Sequence, residues 1–186
     1  MPPRAASTDA ELILAASREG DREAFAELVR RHQSMVRSVL RRLTGGDAAL
    51  ADDLAQEAFL LAWRRLATFR FEARFSTWLY RIAFNAWQSE RRKTREVLLG
   101  EDEPMPEPDA APQGPAREDR LDLERALATL SDGERAALAA CYAADLSHEE
   151  AARSLGIPLG TVKTHILRAK AKLRALLDPT QDRRKP

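Results

Sequence analysis

The sequence predicts an all-α fold of two small helical units joined by a flexible linker. Charged residues make up 32% of the 186 residues and aromatic residues only 6%, a composition that favours helices. Apolar residues recur at steps of three and four, and no alternating run predicts a strand. We expect an N-terminal unit over residues 10–95, a linker over 96–117 and a C-terminal unit over 118–178.

Four helices are predicted in the N-terminal unit from periodicity and from Gly or cap residues at their ends. Their expected bounds are Asp9–Glu19, a second helix ending at Gly45–Gly46, about Ala48–Leu66, and a fourth that begins after Ser76–Thr77 and ends in the basic cluster Arg91–Arg95. His32 falls on the apolar stripe of the second helix. We interpret it as a residue at the edge of the core, because no Cys or second His is near.

Residues 96–117 interrupt this pattern. They are rich in acidic residues and prolines and contain one basic residue, Arg117. Such a segment cannot bury enough apolar surface to fold, so it is interpreted as an acidic linker.

The C-terminal unit is predicted to hold four helices. The first spans about Glu118–Leu130, and the second follows Ser131, which forms a capping box with Glu134. Ser147 and Glu150 form another capping box, and Gly156 marks the turn before the last helix. This order is typical of a helix-turn-helix.

The last helix has one apolar and one basic face. Its predicted buried residues are Val162, Ile166, Ala169, Leu173 and Leu176. From Pro158 to Leu176 the chain has five basic residues and no acidic one, which suits contact with DNA phosphates while residues near the helix start reach base edges. The alternative is a solvated basic helix in a bundle.

A strip on the third helix combines acidic and apolar side chains. Asp53, Gln56, Glu57 and Leu60 are expected to face solvent, opposite a buried face of Leu54, Ala58, Leu61 and Ala62. A basic or amphipathic helix of a partner protein would suit this strip. The alternative is an ordinary solvated face, which physical chemistry alone favours.

Aromatic residues and arginines alternate through Phe69–Asn85. Exposed rings beside cations suit single-stranded nucleic acid, because bases stack on the rings while the cations neutralise phosphates. The alternative is that Phe75, Trp78 and Phe84 belong to the core.

Several classes of protein fit poorly. No apolar run approaches the length of a membrane span, and the N-terminus lacks an apolar signal core, so a cytoplasmic protein without membrane insertion is expected. Cys141 stands alone and is interpreted as a buried structural thiol. His32, His148 and His165 are far apart, and no catalytic motif is found, so we expect no enzyme activity, catalytic residue, metal or cofactor.

The strings DDLAQEAFLLAW, FSTWLYRIAFNAW and GIPLGTVKTHILRAKAKL together resemble the extracytoplasmic-function (ECF) sigma factors of bacterial RNA polymerase. The resemblance covers roughly residues 10–95 and 118–177. It implies two domains, sigma-two and sigma-four, that bind core RNA polymerase through its β′ clamp helices and its β subunit. It also implies recognition of the −10 and −35 promoter elements, and an anti-sigma factor as a further partner.

The resemblance assigns residues to these surfaces. For core polymerase they are Asp52, Asp53, Gln56, Glu57 and Leu60. For the −10 element they are Phe71, Arg74, Phe75, Thr77, Trp78, Tyr80, Arg81, Asn85, Gln88, Arg91, Arg92 and Lys93, with a flipped base held in a loop around Phe71–Phe75. For the −35 element they are Leu159, Gly160, Thr161, Lys163, Thr164, His165, Arg168 and Lys172.

Three residues depart from the family's usual pattern. Phe84 and His165 stand where Arg is common, and the outward Leu167 replaces a residue that is commonly polar. His165 makes shorter contacts than an Arg that could bind guanine through two hydrogen bonds.

A different function remains open from the sequence, that of a stand-alone helix-turn-helix regulator with an N-terminal bundle for dimerisation or sensing.

Overall fold

The computed structural model describes residues 7–98, 123 and 125–177, and the regular elements in these ranges are all helical. The predicted all-α class is confirmed. The helices are α1 Asp9–Glu19, α2 Arg22–Leu43, α3 Ala48–Arg65, α4 Phe75–Leu98, α5 Asp132–Tyr142, α6 His148–Leu155 and α7 Leu159–Leu177. A 3-10 turn, Leu66–Thr68, follows α3, and residues 125–128 are also helical.

Local sequence signals explain most of the helix ends. Thr8 and Glu11 form a capping box that begins α1, and Gly20 ends it in the left-handed region at φ 67°. The carboxylate of Asp21 then accepts hydrogen bonds from the amides of Glu23 and Ala24 and so begins α2. The predicted bounds of α1 are confirmed.

Helix α4 differs from its prediction at both ends. It begins at Phe75 rather than after Thr77, because the buried Phe75 ring packs on Trp78 and the carbonyl of Arg74 accepts hydrogen bonds from the first turn. It continues to Leu98, three residues into the predicted linker, since no proline occurs before Pro104. Residues 99–122, which include the rest of the predicted linker and the predicted start of the helix at Glu118, lie outside the described residues.

Helix α2 lies at the centre of the molecule. Its residues Leu28, Val36, Val39, Leu40 and Leu43 are buried, and it packs against α1, α3, α4 and α5. One apolar core therefore runs from the N-terminal unit (residues 7–98) into the C-terminal unit (residues 123–177), where α5 contributes a run of buried alanines. The small alanine side chains of α5 let its backbone lie close to α2.

The buried face of α7 is largely as predicted. Val162, Ile166 and Ala169 are buried and Leu173 is partly buried against Leu127, Leu130 and Leu138. Leu176 is 55% exposed, so its predicted burial is wrong, because it lies outside both apolar clusters of the core. Cys141 is half-buried, which is less burial than predicted, and desolvation raises the pKa of its thiol.

Candidate nucleic-acid and protein interfaces

The helix-turn-helix forms as its sequence predicts. The Ser147 hydroxyl accepts a hydrogen bond from the Glu150 amide at 3.2 Å, and the Glu150 carboxylate accepts one from the Ser147 amide at 2.8 Å. Gly156 adopts φ 68° at the end of α6. Helix α7 therefore emerges with its basic face toward solvent, and we name it the recognition helix.

The residues assigned to the −35 element all lie on the recognition helix within Leu159–Lys172. Those exposed to solvent are Gly160, Lys163, Thr164, Arg168 and Lys172, and those partly buried are Leu159, Thr161 and His165. Leu167 projects outward as predicted, with 71% of its surface exposed. The exposed set forms a surface that a duplex could approach.

Lys172 already has a carboxylate partner. Its Nζ lies 2.7 Å from Oε2 of Glu134, a buried residue that also closes the Ser131 capping box. Burial opposes the charge of Glu134, but the hydrogen bond from Lys172 and the bonds from Ser131 hold the pKa of this carboxyl below its usual value. Lys172 thus also ties the recognition helix to α5.

His165 turns toward α5 rather than fully into solvent. A Cβ built on Gly133 would lie 2.8 Å from its Nε2 atom, so the imidazole rests directly on the backbone of the first turn of α5. Its Nδ1 atom is buried and has no hydrogen-bond partner within the described chain. The geometry favours packing as one role of His165, beside the base contact that the resemblance implies.

The Gly133→Ala variant should disturb this packing. The added methyl group would overlap the imidazole, so His165 would have to rotate away and shift the start of the recognition helix. We expect binding to duplex −35 DNA to weaken by about 3–10-fold, which corresponds to about 0.7–1.4 kcal/mol and reaches only the low end of the usual cost of overpacking.

The control compares Gly133→Ala/His165→Ala with His165→Ala, because both lack the imidazole and any base contact it makes. Without the overlap, the added methyl group should change the affinity little. Fluorescence anisotropy with a labelled duplex measures both. Equal affinity of Gly133→Ala and the unaltered protein would show that the contact does not position the helix.

The loop before α4 carries an aromatic cluster. Phe69 contacts the rings of Phe71, Phe75 and Trp78 at centroid distances of 4.8–5.6 Å. Phe71 is 47% exposed and adopts φ 60°, a left-handed conformation that is rare for a bulky residue. Strained residues of this kind cluster at binding sites. The loop therefore presents an exposed ring on a packed aromatic support.

The structure divides the residues assigned to the −10 element into two groups. Exposed residues are Phe71, Arg74, Arg81, Asn85, Gln88, Arg91, Arg92 and Lys93, whereas Trp78 is partly buried and Phe75, Thr77 and Tyr80 are buried. Phe75 supports the aromatic loop from within the core, whereas Phe84, further along α4, is buried against the rings of Tyr80 and Trp87. The exposed group gives α4 one basic, solvent-facing side.

Contacts between the two units involve several of the same residues. The Tyr80 hydroxyl donates to the carbonyl of Ala136 at 3.0 Å, and burial raises the pKa of Tyr80. Arg74 binds the Asp145 carbonyl and the Glu150 carboxylate, and Arg91 binds the Asp132 carboxylate. Sequence reasoning did not identify these three acidic residues as partners of Arg74 and Arg91, because no local pattern indicates which helix they face.

A groove of about 550 Å³ opens between α2 and α3. Phe25, Val29, Phe59 and Trp63 line it, and Leu60 stands beside them with 59% of its surface exposed. Asp52 contributes to its edge and lies 3.3 Å from the guanidinium of Arg37. The predicted strip of Asp53, Gln56, Glu57 and Leu60 is exposed along α3. We name this region the α2–α3 groove.

The contribution of α2 to this groove was not predicted, because Phe25 and Val29 follow the same helical spacing as the residues of the apolar stripe on the second helix. In the structure they lie on a second apolar side of α2 and are only partly buried. The available signal was the width of the apolar pattern on α2, which exceeds what one packed face requires.

His32 lies at the core edge as predicted, with Nε2 2.7 Å from Oδ2 of Asp9. Over the described ranges, no three His, Cys, Asp or Glu side chains form a group able to hold a metal ion. None of the described helices is long and apolar enough to cross a membrane.

Two family descriptions match the chain. Sigma-70 region 2 matches residues 28–97, and Sigma-70 region 4 matches residues 120–173. The first match lies within the N-terminal unit and leaves out α1, and the second lies largely within the C-terminal unit.

Similar proteins are found along nearly the whole chain. The ECF RNA polymerase sigma factor SigM of Mycobacterium tuberculosis is 39% identical over 171 residues, which cover 91% of this chain and 85% of that protein. The RNA polymerase sigma factor CnrH of Cupriavidus metallidurans is 33% identical, over 94% of this chain and 98% of that protein.

Solved structures agree with these matches. CnrH in complex with the cytosolic domain of CnrY is similar with a TM-score of 0.68 and 30% identity, covering 91% of this chain and 97% of that one. The structure of the sigma factor RpoE in complex with the anti-sigma factor NepR from Bartonella quintana is similar with a TM-score of 0.73 and 28% identity. The similarity covers 83% of this chain and 97% of that one.

Proposed function

This chain belongs to the ECF sigma factors of the sigma-70 family, and from that premise we propose which of its surfaces carry out promoter recognition. It is an RNA polymerase sigma factor, with a region 2 and a region 4. We assign core binding and the −10 element to residues 10–95, and the −35 element to residues 118–178. The protein itself is proposed to bind rather than to catalyse, and to act in the cytoplasm with the polymerase.

The α2–α3 groove is the proposed docking site for the β′ clamp helices. Its apolar floor and the exposed Leu60 would receive apolar side chains, while Asp52, Asp53 and Glu57 would pair with basic residues of the partner. Exposed apolar surface rimmed by charge is typical of protein interfaces. This combination on one side of α3 is the observation that carries the proposal.

The two DNA elements are proposed to use different chemistry. The recognition helix would enter the major groove of duplex −35 DNA with Lys163, Thr164 and Arg168. The aromatic loop around Phe71 and the basic side of α4 would hold the unpaired −10 strand, because exposed rings stack on bases.

An anti-sigma factor is proposed as a further partner. Both solved relatives are sigma factors in complexes, CnrH with CnrY and RpoE with the anti-sigma factor NepR. The similarity covers most of each of those chains, so a comparable binding mode is open to this protein.

Reconstitution tests the proposed function. The purified full chain is added to core RNA polymerase, and run-off transcripts are mapped on genomic DNA from the source organism. We expect discrete start sites that core polymerase alone does not produce. A stand-alone regulator would instead protect a palindromic duplex without polymerase and yield no specific transcript, and that result would overturn the proposal.

A further inference from the structure

We propose that helix α1 positions the aromatic loop, residues 69–74, through a pair formed by Asp9 and His32. The pair sets where the exposed ring of Phe71 meets an unpaired base of the −10 element. We assign Asp9 and His32 as positioning residues, because they act through other side chains and not by contact with DNA. The inference rests on the proposed function, since it takes Phe71 as the ring that stacks on the base.

The Asp9–His32 pair joins the start of α1 to the middle of α2. Nε2 of His32 lies 2.7 Å from Oδ2 of Asp9, and Nη1 of Arg31 donates to Oδ1 of the same carboxylate at 3.1 Å. An ionised carboxylate only accepts hydrogen bonds, so Nε2 carries the hydrogen. The guanidinium of Arg31 is held in turn by the carboxylate of Glu27, at 2.8 Å. Both oxygens of Asp9 are therefore engaged, and they fix the orientation of the imidazole.

Ring contacts lead from His32 to Phe71. The imidazole meets the ring of Phe75 edge to face, with centroids 5.1 Å apart and an interplanar angle of 74°. Phe75 meets Phe69 at 5.6 Å and 82°, and Phe69 meets Phe71 at 4.8 Å and 62°. Edge-to-face pairs have a preferred geometry, so a ring that tilts moves its neighbour. The orientation that Asp9 gives to His32 is thereby passed to the exposed ring.

Helix α1 also contacts the start of the aromatic loop. It packs against the 3-10 turn Leu66–Thr68, in which Leu66 is buried. This turn leads directly into Phe69, whose amide donates to the carbonyl of Leu66 at 3.0 Å. At the other end of the loop, Phe75 receives the imidazole of His32. One helix thus supports both ends of the loop, directly at the first and through His32 at the second.

The backbone conformation of Phe71 makes this support necessary. Its φ of 60° is rare for a bulky residue and persists only where the surrounding structure holds it. Nearly half of the Phe71 surface is exposed, and the ring rests on Phe69. Without the Asp9–His32 pair, the loop would relax toward ordinary backbone angles, and the ring would leave the position in which it stacks on a base.

The test variant is Asp9→Ala, which removes the carboxylate and keeps the capping box of Thr8 and Glu11. Asp9→Asn is the conservative variant, because its amide oxygen still accepts a hydrogen bond from His32. The matched control is Glu11→Ala, which removes a carboxylate from the same turn of α1, one that bonds to Thr8 instead. Thermal unfolding followed by circular dichroism measures the stability that each variant loses.

Strand binding is measured by fluorescence anisotropy with holoenzyme assembled from core RNA polymerase and each full-length variant. The probe is a labelled single strand of the −10 element, taken from a promoter mapped in the run-off assay. We expect Asp9→Ala to weaken strand binding by about tenfold, which lies within the range measured when one base loses its aromatic partner. Asp9→Asn should retain most of the affinity.

Affinity for core polymerase and for duplex −35 DNA should stay unchanged in Asp9→Ala, because the α2–α3 groove and the recognition helix are not altered. A merely structural role of Asp9 would lower all three affinities together. It would also make Glu11→Ala, which breaks the capping box of the same helix, weaken strand binding as much as Asp9→Ala. Either result would overturn the positioning role.

A double-variant comparison tests whether the effect passes through Phe71. Phe71→Ala alone should weaken strand binding, and Asp9→Ala should add little in that background, because the ring to be positioned is gone. If Asp9→Ala weakens strand binding equally with and without the ring, the effect does not act through Phe71 and the inference is wrong.

The same variants separate this inference from the proposed function. If Phe71→Ala weakens strand binding and Asp9→Ala does not, only the positioning role is lost and the proposed −10 contact stands. If Phe71→Ala has no effect, the proposed −10 contact fails and the inference fails with it.

Discussion

Leu60→Glu is expected to weaken binding to core RNA polymerase by about 100-fold, which corresponds to about 2.7 kcal/mol. Leu60 is the most exposed apolar residue of the α2–α3 groove, beside Phe59 and Trp63. A hot-spot residue at the centre of an interface contributes about 2 kcal/mol or more, and a buried unpaired carboxylate adds a desolvation cost. Fluorescence-detected titration of labelled protein with core polymerase measures the effect.

The matched control is Leu14→Glu on α1, which places the same charge at another exposed leucine away from the groove. Both variants should unfold at nearly the temperature of the unaltered protein, because neither leucine is buried. If Leu60→Glu and Leu14→Glu bind polymerase equally well, the groove is not the docking site.

Lys163→Ala/Arg168→Ala is expected to reduce promoter-specific transcription by more than tenfold. Both cations are exposed on the recognition helix and have no ion pair within the described residues, so each is free to meet DNA. The dependence of duplex binding on salt should fall by nearly 2 in log–log slope, since each phosphate contact contributes about 0.9. Run-off assays and anisotropy titrations between 50 and 300 mM salt measure these two quantities.

Arg18→Ala/Arg64→Ala is the charge-matched control, because both arginines are exposed and lie outside the recognition helix and the residues assigned to DNA. It should change the slope by much less than 1. A slope that falls equally in both double variants would mean that the binding reflects net charge rather than a contact surface on the recognition helix.

The predicted surface on α3 and the predicted aromatic segment differ in how much of each could be predicted from residues close together in the sequence. The exposed strip of Asp53, Gln56, Glu57 and Leu60 follows from the 3.6-residue period of α3 alone, and the structure places all four at the surface. The capping boxes at Ser131 and Ser147 likewise depend on residues three apart, and both form. Interactions between residues this close in sequence do not depend on the rest of the fold.

The sequence could not show which aromatic residues of the segment Phe69–Asn85 are exposed and which are buried. Phe71, Phe75 and Tyr80 occur within ten residues, yet the first is exposed, the second supports the loop from the core, and the third is buried against Ala136 in the other unit. An aromatic ring suits both a base stack and a protein core. Only the position of the neighbouring helices decides between them.

By itself the sequence determined the helices, most of their ends, the basic recognition helix and the family, since each depends on short-range spacing or on motifs. The tertiary structure alone decided that Phe25 and Val29 join α3 in a groove, that His165 rests on Gly133, and that Arg74 and Arg91 meet acids more than forty residues away. These contacts depend on which helix faces pack together. Packing is selected by the fit of whole surfaces, which no single stretch of sequence encodes.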